Sequence, residues 1–299
     1  MHLRFFLQLV AALLVVAGLA GCDRAPWETS NAPPSKGPAP AGQILPPGAA
    51  SAQATNVNVA LGVPVDADPA DNFIIARSTY VVSYNPKRLG PNWAAWRLTA
   101  ADFGGAHRHK GHFLTDESLP AGWYRVTHAD YSDSGYDRGH LVRSEDRTSS
   151  DAANASTFLL TNVLPQRHDL NGGPWLRLED QCRTLAQHDG RTLYIVAGGL
   201  YTANPATIGH GIAVPQACWK VVVVLGPGQG PADVTPTTPV IAVVMPNVEG
   251  IESDLWIKYG PRWPTSSGGA ATTSSARCPR PCGASSSAFG RATRSYGGA

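Results

Sequence analysis

Tyr136-Asp137-Arg138-Gly139-His140 sets an acid, a cation, a glycine and an imidazole within one short stretch of chain. Glycine lets a ligand approach the backbone closely. A histidine is suited to general-base work near neutral pH, and an adjacent arginine can grip a phosphate bidentately. The run alone does not decide its meaning. Asp–Arg neighbours are commonly a structural ion pair, and a lone histidine is more often a core or surface residue than a catalyst.

The segments that follow give it context: Thr161-Asn162-Val163-Leu164-Pro165-Gln166, then Asp169-Leu170-Asn171-Gly172-Gly173-Pro174-Trp175, then Leu178-Glu179-Asp180-Gln181-Cys182-Arg183. Trp175, Glu179 and Arg183 are spaced by four, so on a helix each lies about 40° round from the last and all share one face. Asn171 stands just ahead of the first turn, and Leu178, Cys182 and Leu185 form the apolar stripe. In isolation, Glu179 and Arg183 read as a surface salt bridge and Asn171 as a turn residue.

Outward from this centre, β-branched or aromatic runs predict strands at Phe73–Ile75, Tyr80–Val82, Phe158–Leu160, Leu193–Val196, Val221–Leu225 and Val240–Met245. Several are continuously apolar and belong in a buried sheet. Helices are expected at Asp151–Ala155 and at Pro174–His188, the second opening on a proline that the first turn tolerates. The pattern is α+β, one domain over residues 57–259. At 299 residues and 43% hydrophobic content the chain has material for a proper core, which excludes disorder throughout. A net charge of +2 fits a polyanionic ligand and many secreted enzymes equally.

The termini differ. Arg4 precedes an apolar run from Phe5 to Ala17 that ends in Leu19-Ala20-Gly21-Cys22, an export signal whose small residues before a cysteine resemble a lipoprotein lipobox. Residues 1–22 are therefore expected to be a signal with a lipid anchor at Cys22, and a plain signal peptide or single membrane anchor is the alternative. The expected location is the exported face of a bacterial cell envelope. Residues 23–56, rich in Pro, Ala, Gly and Ser, read as a flexible tether. An oxidising compartment would let Cys182 and Cys218 pair. Residues 260–299 turn low in complexity. A shifted reading frame is the other account, since codons exist for residues 261–279 whose neighbouring frame encodes a terminal helix and turn. Cys278 and Cys282 are for that reason not read as a metal site.

Taken together, in order and in spacing, these motifs closely resemble the DNA/RNA non-specific endonucleases, the ββα-metal (His-Me finger) nucleases. The likeness continues through Leu119-Pro120-Ala121-Gly122-Trp123, Tyr194-Ile195-Val196-Ala197-Gly198 and Val214-Pro215 with Trp219 to Val224, and covers roughly residues 60 to 257. It implies a mostly antiparallel central sheet flanked by helices, with a strand ending at His140, a second strand carrying Asn162 and a helix beginning after Asn171. The implied roles are His140 as general base, Asn171 as direct ligand of a divalent metal, usually Mg²⁺ with Mn²⁺ as an alternative, and Glu179 as holder of a metal-bound water. Arg138 and Arg183 would be cations around the scissile phosphate, and Asn162 would orient the histidine and the attacking water. A hard cation that keeps waters suits oxygen ligands. Asp137 is expected to brace the loop.

One departure concerns Ala106-His107-Arg108-His109-Lys110-Gly111-His112-Phe113, where the family has a further phosphate-binding arginine. His109 aligns there without gaps, and Arg108 beside it serves with a small shift. A basic loop near a phosphate channel is preferred to a zinc site of the three histidines. The implied substrates are DNA and RNA, single- and double-stranded. They would be cut without sequence preference to leave 5′-phosphate ends, because phosphate and sugar contacts carry no sequence information. No base-reading module and no obligate protein partner stand out. The competing functions are a non-cutting nucleic-acid-binding lipoprotein and a phosphodiesterase for small nucleotides.

Overall fold

The β-branched runs pair with one another into a seven-stranded sheet in the computed structural model, which describes residues 56–64 and 71–260 and, by backbone alone, 43–45. In chain order the strands are β1 (Gln43–Leu45), β2 (Phe73–Ala76), β3 (Val81–Asn85), β4 (Gly90–Leu98), β5 (Asp137–His140), β6 (Val163–Gln166), β7 (Thr192–Leu200), β8 (Thr207–Ile208), β9 (Ile212–Ala213), β10 (Ala217–Leu225) and β11 (Val240–Pro246). The large sheet runs β1-β2-β3-β4-β7-β10-β11, antiparallel throughout, while β5 with β6 and β8 with β9 form separate two-stranded ribbons. The helices are α1 (Asp151–Thr157), the single turn α2 (His168–Leu170) and α3 (Leu176–Gln187). The arrangement is the expected α+β class.

Side chains alternate across a strand, so a sheet covered on both sides needs apolar residues at every position. β4 meets this with Ala94, Trp96 and Leu98 in the main core and Trp93 and Ala95 in a second cluster beyond the sheet. Its sequence has no β-branched residue, so β-propensity did not reveal it; burial between β3 and β7 makes it a strand. On the main-core side α3 lays down Leu178, Cys182 and Leu185, the stripe expected from its spacing.

Three expectations are corrected. Phe158–Leu160 is not a strand: Ser150 caps α1, and the amide of Phe158 closes that helix on Ala155, leaving Leu159 one isolated bridge to Leu114. Cys182 and Cys218 are buried free thiols, not a disulfide; Cys218 accepts a hydrogen bond from Gln166 Nε2, and burial pushes both thiols up to about 12. Within the stretch read as tether, Gln43–Leu45 form β1 against β2, because an open sheet edge pairs with extended chain whatever its composition. The rest of residues 1–55, including Cys22, and the tail 261–299 with Cys278 and Cys282, lie outside the described residues. Among the described residues no helix is long and apolar enough to cross a membrane.

Because β4 is the sheet's central strand, Trp96, 1% exposed, is the side chain whose truncation should be felt most. Trp96→Ala is expected to lower unfolding free energy by ~3–5 kcal/mol in urea titrations. Val240→Ala, at the exposed edge strand, should change it by less than ~0.5 kcal/mol.

Candidate active site

β5 carries the motif residues, and its alternation divides them. Asp137 and Gly139 face one way, Arg138 and His140 the other. Gly139 sits against Gln166, where a Cβ would stand 2.0 Å from the side-chain oxygen, so no larger residue fits without displacing it. Asp137 Oδ2 lies 2.9 Å from His168 Nδ1 and accepts a hydrogen bond of 2.9 Å from Asn171 Nδ2. That contact commits the nitrogen end of the Asn171 amide. Its Oδ1 accepts no hydrogen bond among the described residues. Asn171 opens a π-type turn, Asn171–Trp175, kinked at Gly173 (φ −98°, ψ −120°), that leads into α3.

At the other end of β5, His140 packs between Phe113 and Phe158, each ring centroid 4.9 Å away, the second edge-on. Its Nε2 is buried without a partner. Burial first, then the cations Arg108 and Arg143, hold its pKa down to about 3, with Glu145 opposing. The imidazole is therefore neutral throughout the neutral range and able to accept a proton. Arg108 lies over the Phe158 ring at 4.9 Å and bonds Ser144 and Glu145.

Beside this lies a network that the motif reading did not contain. Arg143 bonds Glu145 at 2.9 Å and Asp180 at 2.6 Å, and its Nε is 3.9 Å from Glu179. Glu179, 7% exposed, is ion-paired at 3.1 Å with Lys220, which is 1% exposed and lies 4.0 Å from the centre of the Trp175 ring. Burial raises the Glu179 carboxyl against the pull of Lys220 and Arg143. Asp146 is also buried, with Oδ1 unpartnered; burial, reinforced by Glu179, pushes its carboxyl up to about 7.

The structure thus gathers His140 and Arg108 around Phe158, and ties the Asn171 turn to Asp137 at the start of the same strand. The remaining candidates are used differently from the implied roles. Asn162, wholly buried at the residue before β6, spends its amide on backbone: Oδ1 accepts from Val142 N, and Nδ2 donates to the carbonyls of Val142 and Thr157. It fixes the chain two residues beyond His140, and its amide makes no hydrogen bond to the imidazole. Arg138 is buried, bonds the His128 carbonyl and packs over Tyr131. Arg183 pairs with Gln187 and lies over Phe103; the i,i+4 salt bridge with Glu179 is not formed because Lys220 occupies that carboxylate. Among the described residues no group of three or more His, Cys, Asp or Glu could hold a metal, so His107, His109 and His112 do not make a zinc site.

Asn171 fits a divalent cation: a half-buried amide oxygen, held by its own nitrogen, with no other partner, is a hard ligand suited to an ion that keeps most of its waters. Glu179 fits less well as a direct ligand, since its charge is already answered by Lys220.

The Asp146 carboxyl supplies a pH test. The folded protein keeps its proton up to about 7, whereas the ordinary value is 3.8, so its contribution to stability falls as pH rises between those values. Asp146→Asn cannot ionise. Its stability relative to the wild type, measured by urea unfolding, should become more favourable from pH 5 to pH 8, and a flat or opposite trend would contradict the assignment.

Comparison with known proteins bears on this geometry. Residues 60–262 match the model of the DNA/RNA non-specific endonuclease family. A nuclease of Nostoc sp. is 42% identical over 228 residues, covering 75% of this chain and 82% of that protein. Human mitochondrial endonuclease G is 32% identical over 165 residues, 51% of this chain and 55% of that one. A crystal structure of the EndoG/EndoGI complex superposes with a TM-score of 0.56 at 25% identity, over 69% of this chain and 84% of the other. The fold is thus that of a ββα-metal nuclease, and the chain belongs to the DNA/RNA non-specific endonuclease family of hydrolases.

Proposed function

We propose that this chain cuts phosphodiester bonds of DNA and RNA without sequence preference, using His140 as general base and a divalent cation, Mg²⁺ in the first instance, held at Asn171. The observation that carries the reading is the Asp137–Asn171 hydrogen bond, which leaves one bare amide oxygen tied to the first residue of the strand that ends at a neutral, half-buried histidine. When bound, the cation neutralises charge that develops on the phosphate and the leaving 3′ oxygen.

The chain's own residues supply the rest. Arg108 is exposed, and its guanidinium has five N–H donors, of which Ser144 and Glu145 engage only one nitrogen's. It is therefore placed to grip a backbone phosphate beside His140. A phosphate there also offsets the cationic push on His140 and makes the imidazole a stronger base as substrate arrives. His140 takes the proton of the attacking water, and departure of the 3′ oxygen leaves a 5′-phosphate. Asn162 acts as a positioning residue through Val142. Glu179, set by Lys220, faces the same region through Arg143. Arg138 and Arg183 serve the fold of the site. Export and lipid anchoring at Cys22 belong to the same proposal and rest on the sequence reading of residues 1–22.

Purified protein is expected to nick supercoiled plasmid with Mg²⁺ and to stop when EDTA is added. His140→Ala and Asn171→Ala should each lower the rate by at least about 100-fold, the scale of losing a general base. Product 5′ ends should accept a kinase-transferred phosphate only after phosphatase treatment. Metal-independent nicking, or faster turnover of a small phosphodiester than of long DNA or RNA, would overturn the reading.

A further inference from the structure

Residues 247–252 bracket the Asn171 turn. Asn247, at the end of β11 and 8% exposed, accepts a hydrogen bond from Arg167 N at 2.7 Å and donates to the carbonyls of Pro165 and Pro215 at 3.0 and 2.9 Å. Glu249 pairs with the Arg167 guanidinium at 3.2 Å. The amide of Gly250 donates to Asp169 Oδ2, Ile251 inserts into the main core, and the carbonyl of Glu252 accepts from Arg177. Gly173 lies against the Glu252 backbone so closely that a Cβ there would stand 2.8 Å from its Cα. Around the turn the contacts fall on Pro165, Arg167 and Asp169 ahead of Asn171 and on Gly173 and Arg177 after it.

This turn needs an external hold. Its φ/ψ values leave the helical region at Gly173, and α2 is a single turn. Neither element has enough regular hydrogen bonding to fix the direction of the Asn171 side chain, and an isolated helix turn is marginal in water. Asp137 grips the amide nitrogen from one side. Residues 247–252 hold the backbone that carries it from the other.

We propose that residues 247–252 are a positioning strap for the Asn171 metal ligand, with Asp169 and Gly173 as its docking points. The proposal rests on the reading of Asn171 as ligand. The strap comes from the far edge strand of the sheet, about 75 positions later in the chain, so the ligand turn acquires its final geometry only when β11 is in place. Groups that support a metal ligand from outside the coordination sphere commonly tune affinity by about 10- to 100-fold.

The test titrates Mn²⁺ calorimetrically into the purified full-length chain. Asp169→Ala and Gly173→Ala are expected to weaken Mn²⁺ binding by about tenfold, with nicking activity recovering at high metal. Asp169→Asn, which keeps an oxygen for the Gly250 amide while removing the charge, should bind close to wild type; this separates anchoring from simple attraction of the cation. If Gly173→Ala does not fold, the Asp169 pair decides. Asp169→Ala binding Mn²⁺ as wild type does, or Asp169→Asn as weak as Asp169→Ala, would overturn the strap. Unchanged Mn²⁺ binding by Asn171→Ala would instead overturn the ligand reading itself.

Discussion

A single carboxylate, Asp137, ties the two halves of the site together. It extends from the first residue of β5 and holds both His168 and the Asn171 amide, joining a two-stranded ribbon to the start of α3. A strand rises about 3.3 Å per residue, so the four residues of β5 place His140 roughly 10 Å along the chain from Asp137. Everything chemical in the molecule is arranged around that short rigid bar. The aromatic pair Phe113 and Phe158 closes over the histidine at one end, and the ligand turn is pinned at the other.

The buried charges follow from the same geometry. α3 must bring Leu178, Cys182 and Leu185 into the core, and doing so buries Trp175 and Glu179 as well. An isolated buried carboxylate is strongly disfavoured, and Lys220 from β10 answers it, with the Trp175 ring face beneath the ammonium. Asp146 has no such partner, so its proton stays on to near neutrality. Arg143 joins the inner pair to the half-buried Glu145 and the exposed Asp180. The result is a polar layer between sheet and surface, with Arg108 at its outer rim.

Much of this was legible in the chain. The Asp137–His140 run, the Asn171 turn and the Leu178–Cys182–Leu185 stripe are local patterns, set by periods of two and 3.6 residues and by glycine and proline, and each stands where spacing placed it. β4 was not legible, because its Trp and Ala residues become a strand only through neighbours on both edges. Arg143 and Asp146 carried no motif, and neither did Lys220 on its own: a lysine at the head of a valine run in a buried strand is unusual, and that anomaly was the available signal for it.

What the sequence determined by itself was the inventory and its local order: an imidazole after a glycine, an asparagine before a helix, strands enough for an antiparallel sheet, and a family likeness that the comparisons bear out. What tertiary structure alone decided was which polar groups meet. Arg138 turned out to hold a backbone carbonyl, Asn162 to staple the chain after His140, and Lys220 rather than Arg183 to neutralise Glu179. The reason is physical. Backbone propensity is a property of neighbours along the chain, whereas the partner of a buried charge or amide is whichever group the packing of distant elements brings within hydrogen-bonding distance.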